Sequence, residues 1–468
     1  MTKKEDDMAS TDISQTIADM RRYYNSGQTR SVTFRIEQLS KLKSMIRSHE
    51  DEIIQALYHD LKKPPFESYA SEIGIMYVEI EHAIRHIKSW SHPKRVATPI
   101  LHFLSSSRIY QEPYGVVLIM GPWNYPFNLL IAPLVGAIAA GNCVVIKPSE
   151  LAGGMSGTFA GLISKYFHPD YIHAVEGGVE TSQQLLAGKF DYIFYTGSTA
   201  VGRVVMEAAA RNLTPVTLEL GGKSPCIVDE DVSLDYAVKR IAWGKFFNAG
   251  QTCIAPDYCL VHSAIKDVFL EKMKKTIRDF YGDDPMQSPD YARIVNEKHF
   301  QRLTRLLGDG NIIAGGKTDA ANLYIAPTLI EGVSLQDGIM QEEIFGPLLP
   351  IMAFDRLEQA IDMVNRLPRP LALYFFSNNA RNQQEILTKT SYGGGCINDT
   401  ISHIGSLTLP FGGIGNSGMG AYHGKTSFDT FSHSKSILTR SNLIDMPLRY
   451  PPYGNKVTFL KWLFRVIG

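Results

Sequence analysis

The sequence predicts an α/β protein, with a doubly wound parallel sheet first and a second α/β region after it. Three observations carry that expectation. Apolar runs without polar alternation recur from residue 114 onward: VVLIM (116–120), CVVIK (143–147), IHAVEG (172–177) and DYIFYTG (191–197). Stretches of helical spacing separate them, over 126–140, 157–167, 180–188 and 199–212. Strands that are apolar on both faces need helices on both sides, which a parallel sheet with right-handed crossovers supplies. And 468 residues exceed what one ordinary domain holds, so two or three are expected.

The other elements follow in order. Residues 15–60 read as helix, with apolar positions at helical spacing in IEQLSKLKSMI and EIIQALYHDL, and 68–90 continue helical. Prolines and a serine run break 93–113, and RIYQEPYG (108–115) reads as extended. The apolar helix 127–141 is too short to span a bilayer and contains Pro133, so it reads as buried between the sheet and its neighbours. VTLEL (216–220) and GGKSPCIVDE (221–230) open the second region, which places a boundary near residue 220. Helical DYAVKRIAWGKFF, LEKMKKTIRDFY and HFQRLTRLL follow, with apolar runs around IMQEEIFGPLLPIMAF.

Composition excludes several classes. The chain has 47 basic and 47 acidic residues, so no basic surplus exists to neutralise phosphates, and nucleic-acid binding is not expected. The start, MTKKEDDMASTDIS, has no apolar core of a secretory signal, and its first ten or so residues are expected to be loose. None of Cys143, Cys226, Cys253, Cys259 and Cys396 forms a C-x-x-C pair, and five is odd. Reduced thiols in a cytoplasmic protein fit better than disulfides or a zinc cluster, and no metal site is expected.

Several short motifs carry chemistry. The turn after the first strand of the sheet is GPWNYP (121–126), not the G-x-G-x-x-G of a dinucleotide fingerprint. GSTAVG (197–202) follows a strand and opens a helix, where backbone N–H groups can bind a pyrophosphate, although a plain tight turn reads the same. In KPSE (147–150), Lys147 and Glu150 suit ribose hydroxyls, or simply a surface lysine and a helix start. Glu219 in ELGGKSP (219–225) ends a strand, where a carboxylate can work as a base or merely be solvated. Cys253 in GQTC (250–253) reads locally as a buried thiol as readily as a nucleophile. Nearby His262 is no evident partner for it. EEIFGP (342–347) offers Glu343, and PFGGIGNSGMG (410–420) is a glycine-rich loop.

In this order and at these spacings, the seven motifs resemble the NAD(P)-dependent aldehyde dehydrogenase superfamily, over about residues 15 to 445. The spellings GPWNYPFNL and YPPYGNK are similar to its class 3 (fatty or aromatic aldehyde) branch. The resemblance implies an aldehyde dehydrogenase-like α/β fold: a doubly wound cofactor domain (1–105 and 116–219), an α/β catalytic domain (220–400), a small β oligomerisation element (106–115 and 425–445) and a C-terminal tail (446–468). It implies Cys253 as the nucleophile that forms a thiohemiacetal and then a thioester. Asn124 and the Cys253 backbone N–H become oxyanion donors, and Glu219 activates the hydrolytic water. Lys147, Glu150, Gly197, Ser198, Gly202, Glu343 and Phe345 fall to the cofactor, and Phe411 and Tyr125 to the substrate pocket. It also implies a cofactor turn unlike the usual fingerprint, which accounts for GPWNYP.

The expected reaction is oxidation of an apolar aliphatic or aromatic aldehyde to its acid, with NAD preferred and NADP accepted less well. Two alternatives remain: a CoA-acylating aldehyde dehydrogenase, which the presence of Glu219 argues against, and a non-catalytic binding protein on the same fold. The family suggests a homodimer.

The tail KVTFLKWLFRVIG (456–468) reads as a cationic amphipathic helix, with Thr458, Lys461 and Arg465 on one stripe. It is expected to dock on its own chain or a partner subunit, or to lie peripherally on a membrane surface.

Overall fold

The computed structural model describes residues 13–445 and 447–467. The loose start expected from the sequence lies outside them. Residues 13–90 with 113–433 form one compact unit, and 91–112 with the described part of 434–467 form a second.

The first unit begins with helices Ile13–Asn25, Val32–Ser48 and Glu50–Leu61. The expected single run is interrupted because Gly27 turns left-handed (φ 82°) and the Ser31 side chain caps the next helix by accepting from the Phe34 N–H. A π-turn at Tyr69–Ile73 leads into helix Gly74–Ser91. The inward stripe here is not purely apolar: Glu67, Glu72 and Glu79 are buried beside Ile73, Met76 and Ile80.

The six-stranded sheet runs in the order Gly418–Met419, Val216–Glu219, Tyr192–Thr196, Val116–Met120, Cys143–Lys147, Ile172–Ala174. All neighbours are parallel except Gly418–Met419. Strands Val116–Met120, Cys143–Lys147 and Tyr192–Thr196 are buried at every position, as their unbroken apolar runs require. Strand order reverses between Val116–Met120 and Tyr192–Thr196. A crevice opens at the carboxyl edge of such a switch point, and ligands of doubly wound sheets bind there. Helix Asn128–Ala140 is buried along its whole length and packs Gly136 against Ser427, where a Cβ would stand 2.6 Å away. Among the described residues, no helix is long and apolar enough to cross a membrane.

The seven-stranded sheet runs Asn311–Ala314, Thr328–Glu331, Leu348–Phe354, Tyr258–His262, Pro225–Val228, Ala372–Phe376, Gly394–Ile397. Only Asn311–Ala314 is antiparallel to its neighbour. Glu219 ends a strand of the first sheet, and Pro225 begins one of the second.

The second unit holds a three-stranded sheet in the order Lys94–Val96, Ser105–Pro113, Ser432–Arg440. Lys94–Val96 was not anticipated, because three residues followed by Pro99 leave no periodic signal. Helix Lys456–Ile467 ends the described chain.

Candidate active site

The topology brings two sheet edges together. At the carboxyl edge of the first sheet, strands end at Met120, Lys147, Thr196 and Glu219, and the turns 121–126 and 197–202 flank the switch point. At the amino edge of the second, the segments 220–224, 247–257 and 342–347 each lead into a central strand. These segments are tied to one another: the Asp257 N–H donates to the Ser224 carbonyl (2.8 Å), and the Ile344 N–H to Asp257 Oδ1 (3.0 Å).

Cys253 follows three consecutive left-handed residues, Asn248 (φ 53°), Ala249 (φ 51°) and Gly250 (φ 73°). Such a run is costly for non-glycine residues and persists only when its surroundings hold it. Here the Asn248 N–H donates to Glu67 Oε2 (2.9 Å), and Asn248 Nδ2 donates to the Asn124 carbonyl (3.0 Å). Gln251 Nε2 donates to the Arg293 carbonyl (2.9 Å), while its Oε1 accepts from the Val295 N–H (3.0 Å). Beyond the cysteine, the Tyr374 hydroxyl donates to the Ile254 carbonyl (2.6 Å). His262 is turned elsewhere, its Nε2 3.1 Å from the Asp355 carbonyl oxygen.

Asn124 sits in the turn after Val116–Met120 and is buried. One hydrogen of its side-chain amide goes to the Gln251 carbonyl (3.0 Å), which locks the amide onto the cysteine loop. The amide carries a second hydrogen. Next to it, the Tyr125 hydroxyl lies 2.6 Å from Thr252 Oγ1, and Tyr125 packs with Leu129 and Phe247 in a small apolar cluster.

The electrostatics are those of a dry pocket. Burial pushes the Cys253 thiol well above its ordinary range, and the nearby Glu343 and Glu219 carboxyls push the same way. Glu219 is buried, neither of its carboxyl oxygens has a hydrogen-bond partner among the described residues, and burial pushes its carboxyl well above the ordinary range. Glu343 keeps partial exposure, yet the protein around its carboxyl excludes enough water to raise it to about 8. Among the described residues, fully buried Lys245 has no partner for its ammonium, and burial lowers it to about 8. Glu343 and Lys245 are thereby brought near neutrality, whereas the Cys253 thiol and the Glu219 carboxyl are pushed above their ordinary ranges.

The residues expected at the cofactor border the crevice of the first sheet. Lys147 ends its strand, nearly buried, and Nζ donates to Glu150 Oε2 at 2.6 Å. Burial works to raise the Glu150 carboxyl, but Lys147 and a backbone N–H outweigh it, and Glu150 is held ionised. Ser198 caps helix Thr199–Ala210 by accepting from the Val201 N–H, so that positive helix end opens at the crevice with Val201 and Val204 exposed beyond it. Gly202 faces inward, where a Cβ would stand 2.7 Å from Leu220, and Gly197 lies under the Tyr195 hydroxyl. Gly202 serves close packing of its helix against Leu220, and Gly197 makes room for the Tyr195 side chain. Phe345, left-handed at φ 49°, meets the edge of Trp123 at 5.3 Å between centroids. Phe411 is buried, 5.7 Å from the His403 ring. A cation-bearing, helix-capped crevice of this kind fits a dinucleotide phosphate and ribose.

The chain matches the aldehyde dehydrogenase family over residues 3–437. The chain belongs to the aldehyde dehydrogenase family. It is 49% identical over 455 residues to 4,4'-diaponeurosporen-aldehyde dehydrogenase of Staphylococcus aureus (strain NCTC 8325 / PS 47), covering 97% of this chain and 99% of that one. It is 50% identical to the rat aldehyde dehydrogenase described as dimeric and NADP-preferring, covering 95% and 99%. Its fold matches the substrate-bound Staphylococcus aureus AldH structure with a TM-score of 0.95, at 49% identity over 97% and 99% of the two chains. As an aldehyde dehydrogenase the protein is an oxidoreductase that converts an aldehyde to the acid with a nicotinamide dinucleotide.

The structure of this aldehyde dehydrogenase adds residues that the sequence did not point to. Lys63, Glu67 and Glu72 reach the site from the N-terminal helical segment, Asn248 and Gln251 hold the cysteine loop, and Lys245 lies near Glu343 and Asp257. The available signal was a pattern: Glu72 and Glu79 occupy the apolar stripe of their helix, where a charge demands a partner. Cys396 is also half-buried, with Sγ 3.5 Å from His403 Nδ1, so Cys253 is not the one accessible thiol.

Proposed function

We propose that the chain oxidises apolar aldehydes through a covalent intermediate on Cys253. The observation that carries this reading is the convergence of Cys253, Asn124, Glu219 and Glu343 at the meeting of two sheet edges. The Cys253 thiol releases its proton through pocket water to solvent, and the sulfur attacks the aldehyde carbon. The free hydrogen of the Asn124 amide and the Cys253 N–H receive the oxygen as it becomes negative, each donor worth about 3 kcal/mol in such sites. A bound nicotinamide dinucleotide, held by Lys147, Glu150, Ser198 and Glu343, supplies the hydride acceptor. Glu219, having released its own proton to solvent, takes a proton from water as that water attacks the thioester carbon; the C–S bond breaks and the Cys253 sulfur leaves as the acid forms. A carboxylate without fixed partners can swing to do so.

An apolar substrate is supported by an open cavity of about 460 Å³ whose lining is mostly apolar (Pro64, Phe66, Trp243, Phe247, Phe280 and Tyr281), with Glu67, Asp279 and Asp290 also on its wall. Phe247 joins it to Tyr125 beside the cysteine loop. An NADH-absorbance screen over aldehydes of increasing chain length, plus benzaldehyde, tests the reading. Turnover rises with chain length and is absent in Cys253→Ala. Formation of acyl-CoA in place of free acid when CoA is added would favour the CoA-acylating alternative.

The domain roles given in the sequence analysis are proposed with it, and so is a homodimer. Ser432–Arg440 is the edge of its sheet, nine residues long, with Ile437 and Leu438 exposed. A long edge strand that exposes apolar side chains is favoured by a cover. Light scattering of Ile437→Lys tests this, with a monomer expected. The tail is proposed to rest on an anionic membrane surface at the cytoplasmic side: Val457, Phe459, Trp462, Phe464 and Val466 are all exposed. Equal vesicle binding by a tail-deleted protein contradicts that proposal.

A further inference from the structure

Lys63 and Glu72 form an ion pair with both side chains fully buried. Burying two charges rarely stabilises a fold, because the desolvation cost offsets the attraction. The pair is better accounted for by what it holds. Lys63 Nζ donates to the Asn124 carbonyl at 2.9 Å and stands 4.1 Å from the centroid of the Tyr125 ring. Glu72 Oε2 accepts from the N–H groups of Phe127 (3.1 Å) and Asn128 (2.9 Å). One ion pair therefore grips the turn 124–128 at four of its five residues, Asn124, Tyr125, Phe127 and Asn128. The turn in turn grips the cysteine loop, through Asn124 Nδ2 to the Gln251 carbonyl and Tyr125 to Thr252.

We propose that Lys63, with Glu72 as its counter-ion, is the positioning residue of the oxyanion donor. It fixes the Asn124 peptide plane and so aims the free hydrogen of the Asn124 amide at the oxygen that becomes negative. This inference rests on the reading of Asn124 as an oxyanion donor.

Three reactions at Cys253, measured on the full-length protein, separate the roles. The first is the NADH burst with an aldehyde. The second is acylation by p-nitrophenyl acetate, which builds an oxyanion but needs no dinucleotide. The third is alkylation by iodoacetamide, in which sulfur displaces iodide and no oxyanion forms. Lys63→Met is expected to slow the first two by a similar factor, about 10- to 100-fold, the scale of an ångström-level misplacement. Alkylation is expected to stay within about threefold. Glu72→Gln, which keeps an acceptor for the two N–H groups but removes the counter-charge, shows the same pattern and carries the test if Lys63→Met does not fold. Unchanged acylation, or alkylation slowed as much as acylation, overturns the proposal. Asn124→Ala is the comparator. If it leaves both acylations intact, the oxyanion reading falls; if it slows them while Lys63→Met and Glu72→Gln do not, only the role of Lys63 falls.

Discussion

A Cβ on Gly221 would stand 2.0 Å from a carboxylate oxygen of Glu343. The bare backbone between Glu219 and the second sheet is thus the seat of a carboxyl that reaches it from a segment more than a hundred residues later. Gly221→Ala displaces Glu343, a flexible side chain, and costs the fold little. The expected result is weaker dinucleotide binding by fluorescence titration, roughly tenfold, with a nearly unchanged melting temperature. Undiminished binding would remove Glu343 from the cofactor site.

Gly250 makes the opposite case. It is left-handed (φ 73°), and a Cβ there would stand 2.3 Å from the Gly346 carbonyl oxygen, which is backbone and cannot swing aside. Gly250→Ala is expected to lose more than about 1–3 kcal/mol of stability, the cost of backbone strain alone. Gly161, exposed on helix Gly153–Tyr166 with nothing within 4 Å of a Cβ, is the control. Gly161→Ala should gain about 0.5–1 kcal/mol in denaturant melts.

Glu67 sets a pH dependence. Burial raises its carboxyl to about 7, against the lowering effects of the Asn248 N–H and Lys63. Between the ordinary carboxylate range and 7 the folded state holds more protons than the unfolded one, so this group's contribution falls as pH rises through that window and is flat above it. Glu67→Gln keeps an acceptor for Asn248 and removes that slope. Melting curves from pH 4 to 9 check it: the variant gains on the parent as pH approaches 7, and parallel curves would contradict the assignment.

Glu150 is expected to discriminate between the two dinucleotides. Held ionised beside Lys147, it repels a 2′-phosphate, so NAD is expected to be the better cofactor even though the rat relative is described as NADP-preferring. Glu150→Gln should raise catalytic efficiency with NADP relative to NAD. Parent efficiency that is equal or better with NADP would refute the preference.

How much of this was legible beforehand depended on whether a residue's role is local. The buried strands announced themselves because a doubly covered strand must be apolar throughout, and Glu219, Cys253 and Glu343 stood in short motifs at element ends. Lys63 left no such mark. Its contact with Asn124 spans 61 positions, and Asn248 meets Glu67 across 181, so no window of sequence contains both partners. Gly202 was visible as a motif glycine, but its inward contact with Leu220 appears only once helix and strand are packed.

The central claim is that the acyl group rests on Cys253 until Glu219 lets water in. Glu219→Gln, which replaces a carboxyl that has no hydrogen-bond partner among the described residues, should leave the NADH burst intact and slow steady turnover by about 10²–10⁴. Acid-quenching that variant with an aldehyde and NAD, then mapping the adduct by peptide mass spectrometry, tests the claim most directly. The account predicts an acyl mass on the peptide containing Cys253. An adduct on Cys396 instead, or no adduct while the burst persists, would contradict it.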